Sequence, residues 1–79
     1  MNVLEEEGVI TYLKSRDIAK PYLKAKSYIE MRYFGQVDLR KREPKVSGIY
    51  YFKITKKYQA LGYFENKNTF VVTEISDHQ

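Results

Sequence analysis

Gly48-Ile-Tyr-Tyr-Phe-Lys-Ile54, the pair Lys56-Lys57, Tyr58-Gln-Ala-Leu-Gly-Tyr-Phe64, the polar Asn66-Lys-Asn68 and Thr69-Phe-Val-Val-Thr-Glu-Ile75 follow one another through the second half of the chain. Each long run is rich in aromatic and β-branched residues, which suit a pleated, half-buried surface, and each break is short and polar. Short connections between consecutive strands produce an antiparallel meander. From Ile49 to Thr55 the side chains alternate, with Tyr50, Phe52 and Ile54 on one side and Ile49, Tyr51 and Lys53 on the other. Both sides are largely apolar, so one is expected to receive helices and the other to line a concavity. The last run leads into Ser76-Asp-His-Gln79, which carries the only histidine.

Upstream, the pattern is helical. Asn2 followed by Glu5 approximates a capping box, and Glu5, Glu6 and Glu7 would favour the positive end of a helix dipole, so a first helix is expected from about Val3 to Ser15. Val9, Ile10, Tyr12 and Leu13 supply its apolar stripe, and Gly8 weakens its first turn. Asp17 is placed to cap a second helix that accepts Pro21 in its first turn and runs to about Tyr33. Tyr22, Ala25, Ile29 and Tyr33 share one face of that helix, with Lys20, Lys24, Lys26 and Glu30 on its flanks. Gly35 is expected to end it. A short strand is read at Gln36 to Leu39, then a charged loop from Arg40 to Ser47 in which Pro44 blocks ladder pairing. The expected fold is α+β: a helical hairpin over about residues 3–33, packed on a three- to four-stranded antiparallel sheet over about 36–76.

The chain's 79 residues leave room for one small domain. The absence of cysteine excludes disulfides and thiolate metal sites and fits a cytoplasmic protein. No apolar run approaches the ~18 residues of a membrane span, and the early glutamates interrupt any signal-peptide pattern, so neither a membrane location nor export is expected. Between Arg40 and Lys57 seven cations face Glu43 alone, a local +6 that leaves the remaining chain at −2 within a net charge of +4. Such a patch concentrates phosphate-bearing partners and makes their binding salt-dependent, although a basic face also serves solubility.

The order and spacing of Tyr33-Phe-Gly-Gln-Val-Asp38, Gly48 to Ile54, Tyr58 to Phe64 and Phe70-Val-Val-Thr-Glu-Ile-Ser-Asp-His-Gln79 resemble the RelE/ParE toxin superfamily of toxin–antitoxin modules. The resemblance covers about Ile10 to Gln79. It implies a helical hairpin on a curved antiparallel sheet, a cytoplasmic toxin cleaving messenger RNA on the ribosome, and a cognate antitoxin as partner. The alternatives within reach are a ParE-like inhibitor that binds DNA gyrase without catalysis, and a nucleic-acid-binding module that has lost its toxicity. Two departures bear on the choice. Lys53 stands where the family carries an arginine, keeping a cation without the bidentate fork, and Gln59 stands where a second arginine is expected, losing the charge. The strand that the family carries ahead of its helices is missing from this reading.

Cleavage of the implied kind uses the RNA 2′-hydroxyl against the adjacent phosphate. It calls for a base, an acid and cations around the phosphorane, with no metal and no cofactor. His78 is the one side chain whose ordinary pKa of ~6.5 suits proton exchange near neutrality. Lys53 and Lys57 join it as candidate catalytic residues. Arg40, Arg42, Lys45 and Lys56 are the candidate phosphate contacts, and Tyr51 and Tyr63 could stack bases. A tail histidine, a lysine at a hairpin turn and a half-buried tyrosine each also have ordinary structural roles. One histidine with scattered carboxylates gives no metal-ligand spacing.

Overall fold

A computed structural model describes residues 1–77, with Lys45 described by its backbone alone. The chain opens with strand β1 (Asn2–Glu5), followed by helices α1 (Val9–Ser15) and α2 (Ala19–Glu30). A 3-10 turn (Phe34–Val37) leads to β2 (Arg40–Lys41), and a second (Lys45–Ser47) to β3 (Tyr50–Lys53), β4 (Tyr58–Asn66) and β5 (Thr69–Asp77). The five strands form one sheet in the order β1-β5-β4-β3-β2, with β1 parallel to β5 and every other pair antiparallel. The fold is α+β, as expected. The sheet has five strands rather than three or four and is mixed rather than purely antiparallel.

The meander from β3 to β5 forms where the sequence places it. Thr55 Oγ1 accepts the Lys57 and Tyr58 N–H groups at 3.2 and 3.1 Å in the first turn. In the second, Asn66 Oδ1 accepts the Asn68 N–H at 2.8 Å. These local side-chain acceptors replace ladder partners that tight turns cannot supply.

The N-terminus differs from the sequence reading. Residues from Asn2 to Glu5 are a strand, not the start of a helix, and they pair with residues from Thr69 to Val72. Val3 is buried in the core, which a frayed helical turn would not achieve. Glu5 caps nothing: its Oε2 accepts the Tyr22 hydroxyl at 2.6 Å and pairs with Lys26 Nζ at 2.8 Å, tying β1 to α2. Gly8, at φ +92°, turns the chain from strand into α1 through a conformation that L side chains rarely adopt. The strand ahead of the helices is therefore present.

Between the helices, Asp17 is not the cap of α2, a place taken by Ile18. Asp17 lies in the left-handed region at φ 58°, and its N–H and that of Ile18 donate to the carbonyls of Lys14 and Leu13. The same double closure ends α2 at Glu30 rather than Tyr33: Arg32, at φ 62°, donates to Ile29 O at 2.9 Å and Tyr33 to Tyr28 O at 2.8 Å. Pro21 falls in the first turn of α2, as expected. Gly35 lies inside the first 3-10 turn, which occupies the place of the expected strand at residues 36–39. The actual strand begins at Arg40, inside the expected loop.

Both helices cover one face of the sheet. Val9, Leu13, Ile18, Tyr22, Ala25 and Ile29 from the helical layer meet Val3, Phe52, Ala60, Phe70 and Val72 from the strands. Phe70 organises this core, with its ring centroid 5.0 Å from that of Phe64 and 6.0 Å from that of Phe52, both edge-on.

Candidate nucleic-acid interface

Strand register decides which side chains share the uncovered face. Phe52 lies opposite Ala60 and Ala60 opposite Ile75, all toward the helices, so the intervening row of Lys53, Gln59 and Ser76 lies on the other face. Arg40 opposite Tyr51, and Tyr51 opposite Leu61, form the next row of that face. Leu61 is buried within the sheet surface, and Tyr51 is half-buried beside it.

Two shallow recesses sit on this face and share Tyr51 and Gln59 as walls. The first, ≈ 290 Å³, is lined by Arg40, Lys53 and Lys56 together with Asp38 and Thr55. The second, ≈ 280 Å³, is lined by Arg42, Leu61 and Ser76. Four cations from three segments, the β2 region, the end of β3 and the following turn, thus surround one strip of aromatic and amide surface. Asp38 is the one carboxylate among the described residues that line either recess. The arrangement suits a phosphodiester chain, with cations for the phosphates and a tyrosine face for a base.

Five of the residues singled out from sequence come together here: Arg40, Arg42, Tyr51, Lys53 and Lys56. Lys57 does not join them. Neighbours in a turn diverge, and its Nζ lies 5.6 Å from the Tyr58 ring centroid and 3.8 Å from Asp77 Oδ2, at the end of the sheet where Tyr12 and Arg16 of the helical layer meet Tyr58. Tyr63 is on the open face, opposite Val71, but lines neither recess. His78 lies outside the described residues, as does the side chain of Lys45. Asp38, Thr55 and Ser76 were not singled out by sequence reasoning. For Ser76 a signal exists, since counting back from the Asn66 to Asn68 turn sets it against Gln59. For Asp38 there is none, because its position depends on a left-handed φ of 51° after the 3-10 turn.

No helix among the described residues is long and apolar enough to cross a membrane. Comparison of the chain with protein-family models and with curated protein sequences returns no match.

Proposed function

We propose that this chain is a RelE-like toxin: a cytoplasmic endoribonuclease that receives messenger RNA on the open face of its sheet, acts on the ribosome and is silenced by a cognate antitoxin. The observation that carries this reading is the convergence of Arg40, Arg42, Lys53 and Lys56 around Tyr51 on the one sheet face the helices leave bare. The strand ahead of the helical hairpin, which the resemblance implies, supports it as well. In this reading the 2′-hydroxyl attacks the adjacent phosphorus and the 5′-oxygen leaves. Lys53, Arg40 and Lys56 stabilise the charge that builds on the phosphorane, and His78 exchanges the protons.

Gln59 favours a second reading. It stands between both recesses with a neutral amide where an arginine would complete a phosphate clamp, and a ParE-like inhibitor of DNA gyrase needs no such clamp. Induced expression in a bacterial host, following pulse-labelled protein and DNA synthesis, separates the two. The ribonuclease arrests translation at once, and Arg40→Ala with Lys53→Ala lowers cleavage by about a hundredfold while Gln59→Arg raises it. Arrest of DNA synthesis that is indifferent to Gln59→Arg assigns the gyrase-type activity instead. Normal growth with abundant folded protein overturns both.

A further inference from the structure

A third concavity opens beside the first. It is ≈ 420 Å³ in volume and lies between α2 and the end of β3. Ala25, Val37 and Ile54 give it apolar walls, Tyr28 an aromatic ring, Gln36 an amide, and Lys24 and Lys53 two cations; no carboxylate lines it. Its volume falls within the ~300–1,000 Å³ of small-ligand sites and exceeds that of either recess on the open face. Lys53 lines both this cleft and the first recess, so the two adjoin at one side chain. Tyr28 is half-buried and packed against the core, so its ring is held in place before any ligand arrives.

We infer that this cleft takes one unstacked base of the single-stranded RNA whose phosphates run over the open face; the inference rests on the RNA-binding reading above. The chemistry selects such an occupant. Apolar walls and an aromatic ring favour a planar group, the paired lysines favour one attached to an anion, and the lack of a carboxylate disfavours a basic peptide. A phosphate held at Lys53 brings the adjoining nucleotide to the mouth of the cleft. Tyr28 then supplies a stacking face, and Gln36, able to donate and accept, reads the polar edge of the base. The open face binds RNA without regard to sequence, and the cleft sets the preference at one position.

The test is anisotropy titration of a short labelled single-stranded RNA in which each base in turn is removed to leave an abasic ribose. One position is expected at which base removal weakens wild-type binding about tenfold. Tyr28→Ala is expected to weaken the intact RNA by a similar factor and to add nothing on that abasic RNA, a coupling that a merely structural role would not produce. Tyr28→Phe keeps the affinity, and Gln36→Leu alters which base is preferred there. If Tyr28→Ala fails to fold, Tyr28→Leu carries the same comparison. A flat abasic scan, or two losses that simply multiply, overturns the cleft. If Arg40→Ala with Lys53→Ala still abolishes binding in that case, the open face stands as an RNA site. Failure of the wild type to bind any RNA overturns both.

Discussion

Gly62 sits on β4 where the chain passes beneath the ring of Phe70. A Cβ built there would overlap the Val71 carbonyl oxygen and lie 2.7 Å from Phe70 Cε2 and 3.0 Å from Cζ. Neither neighbour has room to yield, since Phe70 is fully buried and wedged between Phe52 and Phe64, and the carbonyl is backbone. Gly62→Ala is therefore expected to destabilise the fold by roughly 1–3 kcal/mol, as overpacking of a filled core does. In urea denaturation the midpoint should fall; an unchanged midpoint would mean that β4 and β5 slide apart without cost. This glycine is legible in the sequence only as a break in an apolar run, because the reason for it lies on the neighbouring strand. The reverse failure occurs at Asp17, Arg32 and Asp38. All three adopt left-handed conformations that glycine favours, yet none is glycine: α1 still ends at Ser15, where the sequence places it, but α2 stops at Glu30, three residues short of the expected Tyr33, and a 3-10 turn ending before Asp38 takes the place of the expected strand.

Strand β1 shows why a local pattern misleads. Asn2 and Glu5 have the spacing of a capping box, but the partners that decide their conformation lie more than sixty residues away, on β5. Parallel pairing has no turn to announce it, whereas the meander is written in consecutive turns and was read correctly. Its register survives two bulges because they cancel: Glu65 is the extra residue on β4 and Thr73 on β5, so counting from the turn still pairs Gln59 with Ser76. The contact that fastens β1 to α2, Tyr22 to Glu5, makes stability depend on alkaline pH. Burial, and next the hydrogen bond to the Glu5 carboxylate, push the Tyr22 phenol well above its ordinary value of ~10. Past that pH the unfolded chain releases this proton while the folded chain keeps it. The contribution is thus whole below about pH 10 and is lost as pH rises beyond it. Urea midpoints measured from about pH 8 to about pH 11 should fall along the alkaline limb. Tyr22→Phe should start lower by about 1–3 kcal/mol, having lost a hydrogen bond to a charged acceptor, and should show a flatter limb. Parallel curves for the two proteins would mean that Tyr22 ionises alike in both states.

At the scale of the molecule, alternation along β3 divided Tyr50, Phe52 and Ile54 from Tyr51 and Lys53, and the helices cover the first set. The sequence therefore carried the division into two faces, and its charge asymmetry carried the basic character of the bare one. It did not carry the separation of Lys56 from Lys57, which depends on how a tight turn splits its neighbours between the two faces. If the open face binds RNA as proposed, that separation has a measurable consequence. Each cation that neutralises a phosphate of a single strand releases condensed counterion and contributes ~0.7 to the slope of log affinity against log salt. Arg40, Arg42, Lys53 and Lys56 together should give a slope of about −3. Lys56→Ala should reduce its magnitude by about 0.7, and Lys57→Ala, with its ammonium beside Asp77 and over the Tyr58 ring rather than at either recess, should leave it nearly unchanged. Equal reductions from the two would mean that the RNA wraps around the turn onto the helical side, enlarging the interface beyond the open face. A slope near zero would remove phosphate neutralisation from the role of these four cations altogether, and the basic strip would then be a solvated surface.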